Sequence, residues 1–116
     1  METKNWKKTI DSIIRKNYRS LDFSAARLAE MLEVDNYKLS RIFRQTYGQT
    51  YPDVIHPYRV KAAQKLLLNP KMSNLTMEEI GLLSGFHNRW SFYHVFRKYT
   101  GTTPTEWREK MKKEMN

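Results

Sequence analysis

With 116 residues, 40% of them hydrophobic and 13% aromatic, the chain has the means to build one compact domain or two very small ones. Twenty-one Lys and Arg against 12 Asp and Glu give a net charge of +9, a balance that attracts a polyanion and releases its counterions. The lack of cysteine excludes disulfides, zinc fingers and thiol catalysis. Residues 1–8 hold no apolar core like that of a secretion signal, and no stretch reaches membrane-spanning length, so the sequence reads as soluble, free of membrane contact and compatible with the cytoplasm.

In chain order, Trp6, Ile10, Ile13 and Ile14 fall on one stripe of a helix that runs to about Tyr18. Ser24 can cap a second helix with Leu28, Ala29 and Leu32 inward, and Asp35 a third with Leu39, Ile42 and Phe43 inward. Gly48 closes the third helix in a left-handed cap. A fourth helical stretch follows from Thr50–Asp53 to Leu68, with Ile55, Ala62, Ala63, Leu66 and Leu67 as its apolar side. Pro57 lies inside it, so this helix is expected to start near residues 56–57 or to bend there.

Thr76 and Glu79 form a capping box that opens a fifth helix, which ends near Ser84 and Gly85. Gly81 inside it costs about 1 kcal/mol against alanine unless close packing demands it. Asn88 caps a sixth helix, with Phe92, Val95 and Phe96 inward. A second capping box, Thr103 with Glu106, opens a last helix that carries Trp107 and Met111. No strand pattern competes.

The third and sixth helices repeat one pattern. Phe43 and Phe96 stand 53 residues apart, as do Arg44 and Arg97, Gly48 and Gly101, and the caps Asp35 and Asn88. A helix advances about 100° per residue, so Tyr37, Ser40, Arg41 and Arg44 gather opposite the apolar side of the third helix. In the sixth, Trp90, Tyr93, His94 and Arg97 do the same, with Arg89 at the first turn. A short helix, a tight turn and a second helix with a cationic outer face make a helix-turn-helix, whose second helix enters the DNA major groove. Both copies satisfy this, although the second turn is one residue longer and carries His87.

The domain reading is therefore a first subdomain over residues 1–50 with its recognition helix at about 36–47, a linker helix over 51–69, and a second subdomain over 70–116 with its recognition helix at about 89–99. The linker would be roughly 27 Å long at about 1.5 Å per residue, so one chain could engage two major-groove segments about 34 Å apart.

The stretch Ile80-Gly81-Leu82-Leu83-Ser84-Gly85-Phe86, then residues 92–96, Arg97-Lys98-Tyr99-Thr100-Gly101 and Thr103-Pro104, resembles the signature of the AraC/XylS family of bacterial transcription regulators, and the likeness extends over about residues 10–109. The resemblance implies an all-α fold of seven helices forming two homeodomain-like helix-turn-helix units on a long linker helix. It also implies binding to double-stranded promoter DNA, activation through RNA polymerase, and in many members a sensory domain N-terminal to this region.

Carried over by residue, the base-reading positions implied are Tyr37, Ser40 and Arg41 in the first unit and Arg89, Trp90, Ser91 and His94 in the second. Lys38, Arg44, Tyr93, Arg97 and Lys98 are the expected phosphate contacts. No nucleophile, acid–base pair or phosphate-cradling glycine loop is evident, and His56, His87 and His94 lack metal-ligand spacing, so no enzyme activity, cofactor or metal is expected. The competing readings are an output module acting through protein contacts and a less specific binder of RNA or single strands.

Overall fold

The computed structural model describes residues 5–115. Residues 1–4 and 116, assigned above to the outer ends of the two subdomains, lie outside that range, and with them half of the N-terminal stretch 1–8 tested for a secretion signal.

The described chain is all-helical: α1 (Trp6–Asn17), α2 (Ala25–Leu32), α3 (Asn36–Tyr47), α4 (Tyr51–Leu68), α5 (Met77–Ser84), α6 (Arg89–Thr100) and α7 (Pro104–Met115), with a single 3₁₀ turn at Pro70–Met72. The caps explain the boundaries. Asn5, Ser24, Asp35, Thr50, Thr76 and Asn88 each accept, through the side-chain oxygen, an amide proton from the first turn of the helix they precede. Glu79 reaches back to the Thr76 amide at 2.9 Å and Glu106 to the Thr103 amide at 3.0 Å, completing both capping boxes.

The molecule is elongated, 57 × 24 × 22 Å, because it has two cores in series. Ile10, Ile14, Leu28, Leu39 and Phe43 build the first, into which α4 inserts Val54 and Ile55. Ile80, Phe86, Phe92, Val95 and Phe96 build the second, which takes Val60, Ala63 and Leu67 from the other half of the same helix. Since each end of α4 serves a different core, its apolar residues do not keep to one stripe. Residue Asp11 fastens α1 to α3, accepting bonds from Lys7 Nζ at 2.8 Å and the Tyr47 hydroxyl at 2.6 Å.

Of the two outcomes expected from the Pro57 ring, a start of α4 at residues 56–57 does not occur. The helix runs unbroken over 18 residues from the Thr50 cap. Pro57 lies in the second turn, where the missing N–H orphans only the carbonyl of the residue four before it, Asp53. Burial of Val54, Ile55, Arg59 and Val60 on both sides of it holds the turn in place.

Both helix-turn-helix turns close in the same way. Glu33 and Gly85 adopt left-handed conformations with φ of 57° and 106°, and the next amides, Val34 and Phe86, return to the carbonyls of Ala29 and Gly81 at 3.0 and 2.9 Å. Glutamate suffices at the first turn, but the second needs glycine. A Cβ on Gly85 would stand 2.5 Å from the Tyr18 carbonyl and 2.8 Å from Arg59 Nε. Gly81 is likewise required by packing, since a Cβ there would meet the Phe92 ring at 2.8 Å.

Gly85→Ala is expected to cost roughly 3 kcal/mol or more, from backbone strain plus steric overlap. Gly48, with φ of 66° and open space around it, pays strain alone. Gly48→Ala is expected to cost about 1–2 kcal/mol. Urea unfolding of both variants checks the order, and equal losses would show that Gly85 is not pressed against its neighbours.

Candidate nucleic-acid interface

The outward faces of α3 and α6 are built from the caps upward. Asp35 fixes the start of α3 through the Lys38 amide at 2.7 Å, and Asn88 fixes α6 through the Ser91 amide at 2.8 Å. With Leu39, Ile42 and Phe43 held inside, Tyr37, Lys38, Ser40, Arg41 and Arg44 are left exposed. On α6, the burial of Phe92, Val95 and Phe96 leaves Arg89, Trp90, His94, Arg97 and Lys98 exposed, with Ser91 and Tyr93 half-buried. Neither helix contains an acidic residue.

Two large aromatics stand in water. Tyr37 is 74% exposed and Trp90 72%, so neither is a displaced core residue. They occupy the same register, as do Arg41 with His94 and Arg44 with Arg97. Each helix thus carries one stripe at i, i+4, i+7, and the two stripes differ in chemistry. The first combines a phenol with two guanidiniums. On the second, the Trp90 and His94 rings stack with centroids 4.9 Å apart and planes 5° from parallel. Pre-stacking restricts both side chains before any partner arrives, which lowers the ordering cost of contact.

Besides Trp90 and His94, three more of the expected DNA contacts already have partners within the chain. Tyr93 gives its hydroxyl to a bond with Thr105 Oγ1 at 3.0 Å, and the Arg89 guanidinium lies 4.8 Å over the Tyr93 ring. Lys98 pairs with Asp53 of α4 at 3.9 Å, an exposed and therefore weak ion pair. By contrast, no ion pair with a carboxylate is formed by Arg41, Arg44 or Arg97 among the described residues.

The seam between α4 and α6 has its own electrostatics. Burial lowers the His56 pKa from its ordinary value of 6.5, and the Arg59 and Lys98 charges push the same way, with Asp53 opposing and His94 adding a little. His56 also packs edge-on against Tyr99 with centroids 6.5 Å apart. Arg59 itself was not singled out by sequence. Its guanidinium is buried, donating from Nε to the Tyr18 carbonyl at 2.8 Å and from Nη2 to the Phe23 carbonyl at 3.3 Å. The signal for it was a charged residue four positions after Ile55 on a face otherwise apolar.

A family profile for a helix-turn-helix domain matches residues 28–110, which takes in α3, α6 and all of α4. The chain belongs to the AraC/XylS family of helix-turn-helix proteins. It is 30% identical over 114 residues to the bifunctional transcriptional activator/DNA repair enzyme AdaA of Bacillus subtilis, a match that covers 98% of this chain and 52% of AdaA. The chain therefore spans about half the length of that relative. Among solved structures, it superimposes with a TM-score of 0.80 on the C-terminal domain of the two-component response regulator yesN from Fusobacterium nucleatum, at 30% identity, covering 90% of this chain and 99% of that one. The DNA-binding domain of AdpA, solved in complex with a target DNA, shares the fold with a TM-score of 0.78 at 20% identity over 97% of this chain and 96% of that one. Among the described residues, no helix is long and apolar enough to cross a membrane, and no group of three or more His, Asp or Glu is placed to hold a metal ion.

A depressed His56 pKa means that the unfolded chain binds a proton more readily than the folded one. The stability that His56 contributes as a neutral ring is present above 6.5 and is lost as pH falls through the lower folded value. Urea melts at about pH 7.5 and pH 5.5 should show a smaller acid loss for His56→Gln than for the parent chain. An equal loss in both would assign the acid sensitivity elsewhere.

Proposed function

We propose that this chain is a sequence-specific reader of double-stranded promoter DNA that engages two adjacent major-groove segments as one molecule and activates transcription. The observation that carries this reading is the pair of acid-free, outward-facing stripes on α3 and α6, set on two cores that share one helix. A helix face reads duplex edges, whereas single strands are usually held by aromatics on a sheet.

In this reading, Tyr37, Ser40 and Arg41 meet bases in one groove, and Arg89, Trp90, Ser91 and His94 in the next. Arg41, nearer the start of its helix than Arg44, donates two parallel bonds to a guanine edge. Arg44, Lys38, Arg97 and Lys98 neutralise phosphates, and Lys98 leaves Asp53 to do so. Tyr93 acts mainly by holding Arg89 in place. Trp90 offers an apolar surface to thymine methyl groups.

In this reading RNA polymerase is the partner for activation, and control comes either through a sensory domain N-terminal to this region in a longer parent protein or within a small self-contained regulator. The partial coverage of AdaA supports the longer parent protein. A cytoplasmic location follows from the proposed target.

Selection from a random duplex pool followed by footprinting tests the reading, with two protected patches about one duplex turn apart as the expected result. A random RNA or single strand that competes as well as every duplex would overturn it. Arg41→Ala should lose about 1–3 kcal/mol on the selected site and relax choice at one position, while Arg44→Ala should weaken all duplexes evenly. Affinity should fall steeply with salt, with a slope reduced by about one for Arg44→Ala.

A further inference from the structure

The two units differ in the cleft between α3 or α6 and the first turn of the helix after it. In the second unit Tyr93 spans this cleft, its hydroxyl bonded to Thr105 Oγ1 at 3.0 Å and its ring beneath Arg89. The residues 53 positions earlier are Ser40 for Tyr93 and Pro52 for Thr105, and neither can reproduce that bridge. The walls are also smaller. Helix α2 opens after its cap with Ala25 and Ala26, where α5 opens with Met77 and Glu78.

The first unit consequently has an open groove of about 650 Å³, with Leu39, Phe43 and Tyr51 against Ala25, Ala26 and Pro52. That volume lies within the range of small-molecule sites. Its polar chemistry favours an anion. Arg44 lines the groove, as does the first turn of α2, the positive end of that helix, with the amides of Ala25 and Ala26, while on the α4 side only the Tyr51 amide is left, since Pro52 has no N–H and the Asp53 amide is given to Thr50 Oγ1. Asp53 is the one carboxylate among the lining residues, and Lys98 faces it at 3.9 Å.

The geometry points to a binding site in this groove for a small aromatic carboxylate, whose ring takes the place that the Tyr93 ring fills in the second unit and whose charge meets Arg44. Ser40 and Arg44 line the groove and also belong to the α3 face assigned to DNA. An occupant therefore competes with the duplex for Arg44. The site itself stands on the groove alone, and its effect on DNA rests on the function proposed above.

The probe is 4-hydroxyphenylacetate, a tyrosine side chain extended by a carboxylate, titrated into the labelled full chain while amide shifts are followed without DNA. Shifts should gather at Ala25, Ala26, Ser40, Gly48 and Gln49, with binding about tenfold weaker for 4-ethylphenol, which has the ring and no charge. Ala25→Met, which installs the second unit's residue, should weaken the probe by about tenfold or more, and Ala26→Glu serves the same end if the first variant does not fold. Shifts that are absent at about 10 mM, scattered over the surface, or unchanged in the variants overturn the site. In a second arm, saturating probe should weaken duplex binding of the parent chain about threefold and leave Ala25→Met unaffected. Localised shifts with undiminished duplex binding overturn the competition. A chain that binds the probe in the groove but no duplex at all supports the site and refutes the proposed function instead.

Discussion

One buried guanidinium holds the two halves of this molecule in register. Arg59 projects from the middle of α4 and donates to the carbonyls of Tyr18 and Phe23, which bracket the loop joining α1 to α2. The turn of the second unit presses on it through Gly85, whose missing Cβ is the space that Arg59 and the Tyr18 carbonyl occupy. Arg19, from the same loop, donates to the Leu83 carbonyl of α5 at 2.8 Å. Burial pulls the Arg59 pKa below its usual range, against the Tyr51 phenol nearby, but a guanidinium remains charged in proteins. An aliphatic side chain in its place would leave two carbonyls without donors, and a smaller one would also leave a void beneath the second turn.

This contact changes what α4 is. Two cores strung on a bare helix would swing with every flexing of that helix. Here the loop of the first unit, the middle of α4 and the turn of the second unit meet at one point, so the outward stripes of α3 and α6 keep a fixed separation and phase. Under the proposed function, such a molecule would discriminate by spacing as well as by sequence, since a misplaced half-site would have to deform the duplex or break the contact. The copies can then diverge in chemistry without losing geometry. One presents Tyr37 with Arg41 and Arg44, and the other a pre-stacked Trp90 and His94.

Much of this was legible in the sequence because the signals were local. Caps such as Asp35 and Asn88 act within one turn, and the exposure of Tyr37 and Trp90 follows from the helical period once Phe43 and Phe96 are placed inside. The resemblance to the AraC/XylS family rests on residues 80–104 and needed no tertiary information. What escaped was long-range. Pro57 looked disruptive because local sterics say so, yet the two cores on α4 outweigh one lost backbone bond. Arg59 was hidden because its partners are backbone carbonyls 36 and 41 residues away, which leave no charge pattern to read. Tyr93 fell on the outer face by helical period, but its length lets it reach Thr105 on the next helix. Gly81 looked costly until the Phe92 ring was seen to fill its Cβ space.

The fixed relation of the two units can be measured directly because the chain has no cysteine of its own. Spin labels on Gln45→Cys in α3 and Glu109→Cys in α7, both exposed, report the distance between the units by pulsed dipolar spectroscopy. The parent chain should give one narrow distribution that does not move when duplex is added, and Arg59→Met should broaden it. A distribution in the parent chain that is already as broad as in Arg59→Met, or that shifts on binding DNA, would contradict the claim that Arg59 sets the register of the two readers.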